Sequence, residues 1–195
     1  MNMLLNSVPE SLIIAGTEYE IKTDFRVWLK FEILLSEGNP SFVDIEKLIF
    51  KSSLPPSCAD EETTEQILWF YRCGKCGKQE QKGGTPSSKK IFDYDYDDGY
   101  ICAAFMEQYH IDLNCANLHW WKFHALMLSL SENTEFVKIM GYRSVEISSK
   151  MTASQKAFYQ KMKKHYKLPV KKEELQRITA IEDALITGKP IDNLL

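Results

Sequence analysis

Two adjacent tryptophans, Trp120 and Trp121, stand inside the run Leu118-His119-Trp120-Trp121-Lys122-Phe123-His124-Ala125-Leu126-Met127-Leu128. The run has little turn chemistry and spaces as a helix from about Asn117 to Leu130. On such a helix Leu118, Trp121, Ala125 and Leu128 form one apolar stripe, while Trp120, Phe123 and Met127 fall on other faces. A helix that is apolar on several faces has to be enclosed by other elements. The run therefore predicts a packed α-helical core and contains neither an acid–base pair nor metal-ligand spacing.

The neighbouring segments predict what encloses it. Ser11 to Ile21 reads as a small β-hairpin, two Ile- and Tyr-bearing runs around a Gly16 turn. A lone hairpin is marginal and must pack on helices. Thr23 or Asp24 can cap a helix through Glu37, with Phe25, Trp28, Leu29 and Leu35 at core spacing and Gly38 as its stop. Further helices are expected over 42–50 and over 61–71, the latter with Ile67, Leu68 and Tyr71 on one face. The Gly/Lys/Ser/Gln-rich stretch Gly74–Lys90 reads as a mobile loop. Asp97 or Asp98 caps a helix to about Tyr109, its core face Ile101, Ala104, Phe105 and Gln108. Asn133–Met140 reads as a short helix stopped by Gly141. Thr152-Ala153-Ser154-Gln155 fits a capping box that opens a helix through Tyr166, with the stripe Met151, Phe158, Met162 and Tyr166. A final helix is expected over 171–187, with the stripe Leu175, Ile178, Ile181 and Leu185. The fold class is mostly α: a single-domain helical bundle over 1–195 with a small N-terminal β-hairpin.

Composition narrows function mainly by exclusion. The 195 residues carry a net charge of −3, which argues for neither nucleic acid nor a membrane surface as partner. No apolar run reaches the ~18–20 residues of a bilayer span. The N-terminus makes a poor secretory signal, and five mostly separated cysteines make no disulfide framework. Charge is segregated, however. Six acids and no Lys or Arg lie between Ile91 and Cys115, and eight lysines and no acid between Lys150 and Lys172. Such blocks face partners, each other or simply solvent.

Chemical motifs are sparse. Cys73-Gly74-Lys75-Cys76 is half a zinc site, since a structural zinc needs four ligands and the other cysteines are isolated. As a redox pair it sits at the wrong end of a helix for thiolate stabilisation. His119 and His124 are five apart, imperfect spacing for two ligands on one helical face. Asp93–Gly99 lacks the glycine and glutamate positions of a calcium loop. No phosphate-binding loop or nucleophile elbow is present. The expectation is a protein without enzymatic activity, metal or cofactor. Lys156, Lys163 and Lys164, read as lying off the apolar stripe, are candidate partner-binding residues. Tyr142 and Arg143 are a second candidate contact, placed just after the Gly141 stop and of types enriched in binding hot spots. The alternative is that both brace the turn against the core.

Several segments together carry a resemblance. They are Asp24-Phe25-Arg26-Val27-Trp28 with Phe31-Glu32, and Leu68-Trp69-Phe70-Tyr71-Arg72-Cys73-Gly74-Lys75. Phe92–Asp97 follows with Tyr100–Phe105, then His119–Phe123, Ile139–Arg143 and Gln155–Lys164. In this order and spacing they resemble the phage gene-product-fifteen family of tailed phages and prophages of Gram-positive bacteria, over about Glu18 to Leu168. The resemblance implies a non-enzymatic role in tail morphogenesis. Genes of this family typically lie between the major tail protein and the tape-measure protein, the position of tail assembly chaperones. The implied partners are the tape-measure protein and a neighbouring tail assembly protein, with self-association compatible with the charge blocks. The implied place of action is the host bacterial cytoplasm, with the chain absent from the mature virion. The competing reading is a metal-binding adaptor built on Cys73 and Cys76. Relatives usually lack a cysteine at position 76 and often carry Gly at position 110, which predicts a left-handed backbone at His110.

Overall fold

A computed structural model of the chain describes residues 2–38, 40–55, 61–75 and 90–169. Among them are a two-stranded antiparallel hairpin and seven helices, so the fold is mostly α. The loop expected over 74–90, apart from its first two residues and its last, lies outside the described residues, as does the helix expected over 171–187.

Strand β1 (Ser11–Ile14) pairs with β2 (Thr17–Glu20), Ile14 opposite Thr17. Ala15 and Gly16 make the two-residue turn with φ of 48° and 76°. Positive φ at both positions matches the right-handed twist of the strands and costs the alanine, not the glycine. Leu12 and Ile14 point inward, and Ile13 is exposed.

Helix α1 (Phe25–Glu37) starts at Asp24, whose carboxylate accepts from Arg26 N–H. Its buried stripe is Phe25, Trp28 and Phe31. Leu35, expected in the core, is 40% exposed, and Leu29 is half-buried. Helix α2 (Phe42–Ile49) is capped by Ser41 and ends at Phe50, which bridges Ile21 beside the hairpin. Helix α3 (Glu61–Tyr71) buries Thr63, Ile67 and Phe70, leaving Leu68 and Tyr71 half-buried. Helix α4 (Asp98–Tyr109) buries Ile101, Ala104 and Phe105. Asp97 occupies its N-cap position, but its side chain makes no capping hydrogen bond. His110 closes α4 with φ 55° and ψ 32°, the left-handed conformation expected there.

Helix α5 (Trp120–Leu128) is shorter than the expected 117–130. Trp120, Trp121 and Phe123 are buried, whereas Ala125 is exposed and Leu128 is 68% exposed. The core therefore encloses only the first turn and a half of this helix, and the stripe Leu118-Trp121-Ala125-Leu128 is not its buried face. Helix α6 (Glu135–Ser144) runs through Gly141 instead of stopping there. Gly141 has no positive φ, and a Cβ on it would meet nothing within 4 Å. Helix α7 (Ala153–His165) opens with the capping box: Thr152 Oγ1 accepts from Gln155 N–H, and Gln155 Oε1 accepts from Thr152 N–H. None of its residues is buried.

The described residues fall into two compact units, one drawn from Met1–Lys89 and Asp97–Lys138, the other from Lys90–Tyr96 and Ile139–Leu195.

Candidate functional site

In the first unit the paired tryptophans act on the end of α3. Trp120 Nε1–H donates to the Tyr71 carbonyl at 2.9 Å and Trp121 Nε1–H to the Phe70 carbonyl at 2.8 Å. The last carbonyls of a helix have no partner within it, and here the Trp120 indole serves that of Tyr71 while the Trp121 indole is a second donor to that of Phe70, beside Cys73 N–H. The chain then leaves α3 through two left-handed residues, Cys73 (φ 55°) and Gly74 (φ 72°). Their N–H groups return to Phe70 O and Trp69 O, the pattern of a Schellman motif with cysteine where glycine is usual.

The start of α5 is tied as closely. His119 is its N-cap, and Nδ1 accepts from Trp121 N–H at 3.0 Å. That bond requires the proton on Nε2, which points at the Pro9 carbonyl 3.0 Å away. Phe25 N–H donates to Leu118 O and Trp120 N–H to Thr23 O, so the first turns of α1 and α5 fasten each other. Burial holds the His119 imidazole below its ordinary pKa of 6.5, against the pull of Pro9. Arg26 completes this region. Its guanidinium pairs with Asp24 at 2.9 Å and donates to the carbonyls of Leu113, Asn114 and Ala116. Sequence reasoning missed this clamp because its acceptors are backbone atoms, which carry no residue signature.

Cys73 does not have the surroundings of a nucleophilic thiol. It is buried, and desolvation pushes its pKa up to about 11 against the lowering effect of Lys75. A nucleophile has to be a thiolate. Cys76 lies outside the described residues. Among the described residues no three His, Cys, Asp or Glu side chains group to hold a metal ion, and no helix is long and apolar enough to cross a membrane. Asp93, in the acidic segment, accepts from Lys90 Nζ and from the backbone N–H groups of Asp95 and Tyr96. Burial opposes its charge, but these partners bring its pKa below the usual carboxylate value.

The candidate contact residues gather in the second unit. Arg143 is not at a surface turn after a helix stop but in the last turn of α6, 8% exposed. Its Nε–H donates to Tyr166 O at 2.6 Å and Nη1–H to Ile91 O at 3.0 Å, and the guanidinium lies over the Tyr96 ring. Tyr142 is half-buried, stacked with Tyr166 and edge-on to Phe158. These contacts fit the bracing alternative. Lys163 is half-buried and donates from Nζ to Arg143 O at 3.0 Å, serving an end carbonyl of α6. Lys156 is also half-buried, and of the three lysines only Lys164 is exposed. Lys156 and Lys163 therefore lie with Tyr159, Met162 and Tyr166 on the inner side of α7, not away from it.

The sequence profile of the bacteriophage Gp15 protein family matches residues 4–168. The chain belongs to the bacteriophage Gp15 family. Membership places it among phage structural and morphogenesis proteins. No curated protein and no solved structure gives a significant match. The matched range of the Gp15 profile takes in the double-tryptophan cap, the Arg26 clamp, the left-handed His110 and the Arg143 hub. It ends at Leu168, three residues past α7 and one residue before the described chain ends at Pro169.

Proposed function

We propose that this protein is a non-enzymatic tail assembly chaperone that binds the tape-measure protein in the host bacterial cytoplasm and is absent from the mature virion. Family membership over 4–168 carries the reading, together with the gene position that the resemblance implies. The surface is compatible with it. Leu4, Ile13 and Leu128 of the first unit and Phe158 of the second are exposed, and each offers a weak apolar contact to a helical client. A neighbouring tail assembly protein is the natural second partner.

Co-expression with the tape-measure protein of the same phage tests this. The tape-measure chain is expected to move from the insoluble to the soluble fraction and to co-purify with this protein. If it stays equally insoluble with and without the partner, and with the neighbouring gene product added, the reading is wrong.

A further inference from the structure

We propose that the outward face of α4 in one copy of this chain docks on the outward face of α7 in a second copy. On α4, Ile101, Ala104 and Phe105 turn inward. Tyr100, Ala103, Met106 and Glu107 are left outside, with Tyr100 38% and Met106 45% exposed. Asp98 and Asp112 are exposed at either end of that helix, and no Lys or Arg occurs between Ile91 and Cys115. On α7 the half-buried side leaves Ala153, Ala157, Phe158, Lys161 and Lys164 outside, with Phe158 47% exposed. No acid occurs between Lys150 and Lys172.

The two faces complement each other. Ala153 and Ala157 are one helical turn apart, and small side chains there let a second helix approach closely. Phe158 on the flank meets an apolar pair, Tyr100 and Met106, of matching exposure. Lys161 and Lys164 meet a helix whose charges are all acidic. Pairing α4 with α4, or α7 with α7, sets like charges together, so the sign of charge selects the mixed contact. Each copy offers one face of each kind, so every copy carries both halves of the contact. The proposal needs no client and stands apart from the chaperone reading.

Sedimentation velocity on the full-length protein tests it. The average mass is expected to rise with protein concentration at low salt and to fall back at high salt. Lys161→Glu with Lys164→Glu is expected to raise the self-dissociation constant about tenfold or more, with an unchanged thermal midpoint. Ala103→Lys with Glu107→Lys is expected to do the same. Mixing the two variants restores association, because the acidic α7 of one then meets the basic α4 of the other. A wild type that stays monomeric, a reversal without effect, or a mixture that fails to re-associate each overturns the proposal. If the wild type is monomeric but the α7 reversal abolishes tape-measure solubilisation, that face serves the client. The contact between copies is then wrong, and the chaperone reading stands. Intact self-association with no solubilisation removes the chaperone reading alone.

Discussion

In the first unit Trp28, Phe70, Trp120 and Trp121 are each withdrawn almost wholly from water, whereas the described residues of the second unit bury only Ile139 and Arg143. The aromatic content of the two is not the reason, since the second unit has Tyr142, Phe158, Tyr159 and Tyr166 in mutual contact. What differs is the organising group. Around Trp121 the rings of Phe70, Trp69 and His119 close over a polar atom that already has its partner. Such a cluster gains from apolar area, at roughly 25 cal/mol per Å². Around Arg143 the second unit gains from charge-assisted bonds to backbone carbonyls, about 1.5–3 kcal/mol each, with its rings left half in water. A region with few buried apolar contacts opens more readily, which leaves the second unit as the more adaptable of the two.

All four tryptophans belong to the first unit, so tryptophan fluorescence reports it alone while hydrogen exchange follows α7. Trp121→Ala should have the largest effect, about 4 kcal/mol of lost stability, because it empties a fully buried site and removes one of the two donors to the Phe70 carbonyl. Trp121→Phe, which keeps most of the ring, should recover much of that in chemical denaturation. A cost below about 1 kcal/mol for the alanine variant would mean that the paired indoles do not hold the core together.

Arg143→Ala should cost about 2–3 kcal/mol, confined to the second unit. Exchange in α7 and in residues 90–96 should quicken while the fluorescence transition stays where it was. Arg143→Lys should rescue poorly, since an ammonium lacks the fork that reaches Tyr166 and Ile91 together. An equal shift of the fluorescence transition would erase the contrast between the units.

The third test is pH. His119 and His124 both have pKa values lowered from 6.5, first by burial. The fold therefore favours the neutral rings. Their contribution is fully present above 6.5 and is lost as pH falls through the lowered folded values. Stability of the first unit should decline as pH is taken below about 6.5. Glu10 and Lys122 act on His119 in opposite senses, and Asp24, whose backbone bridges that of His119, has its carboxylate held by Arg26. His119→Asn, which keeps an N-cap acceptor but does not titrate, should flatten the slope. An unchanged slope would remove the histidine from the account.

Gly141→Ala should give the smallest change and the only gain, about 0.5–1 kcal/mol, read as a rise in the second unit's midpoint. The site is helical, its φ is not positive and a Cβ there meets nothing. Destabilisation instead would indicate the left-handed helix stop that the sequence suggested.

Features that depend on a few neighbouring residues were legible in the amino-acid order. The Ala15-Gly16 hairpin turn, the Asp24 cap and the Thr152–Gln155 box all close through atoms within about four residues of one another, and sequence patterns encode such contacts directly; the left-handed His110 was legible only through the glycine that relatives carry there. The fold class and the family followed from the same local signals in order. The order could not rank equivalent apolar residues: Leu35 and Leu128 are exposed while Phe31 and Phe70 are buried, because burial depends on which distant element lies opposite. Nor could it show that α6 continues past Gly141, where the turn beyond is held by Arg143 reaching carbonyls 52 residues back and 23 ahead. Backbone acceptors look alike at every residue, and only the folded chain brings particular ones within reach of Arg26, Trp120, Trp121 and Arg143.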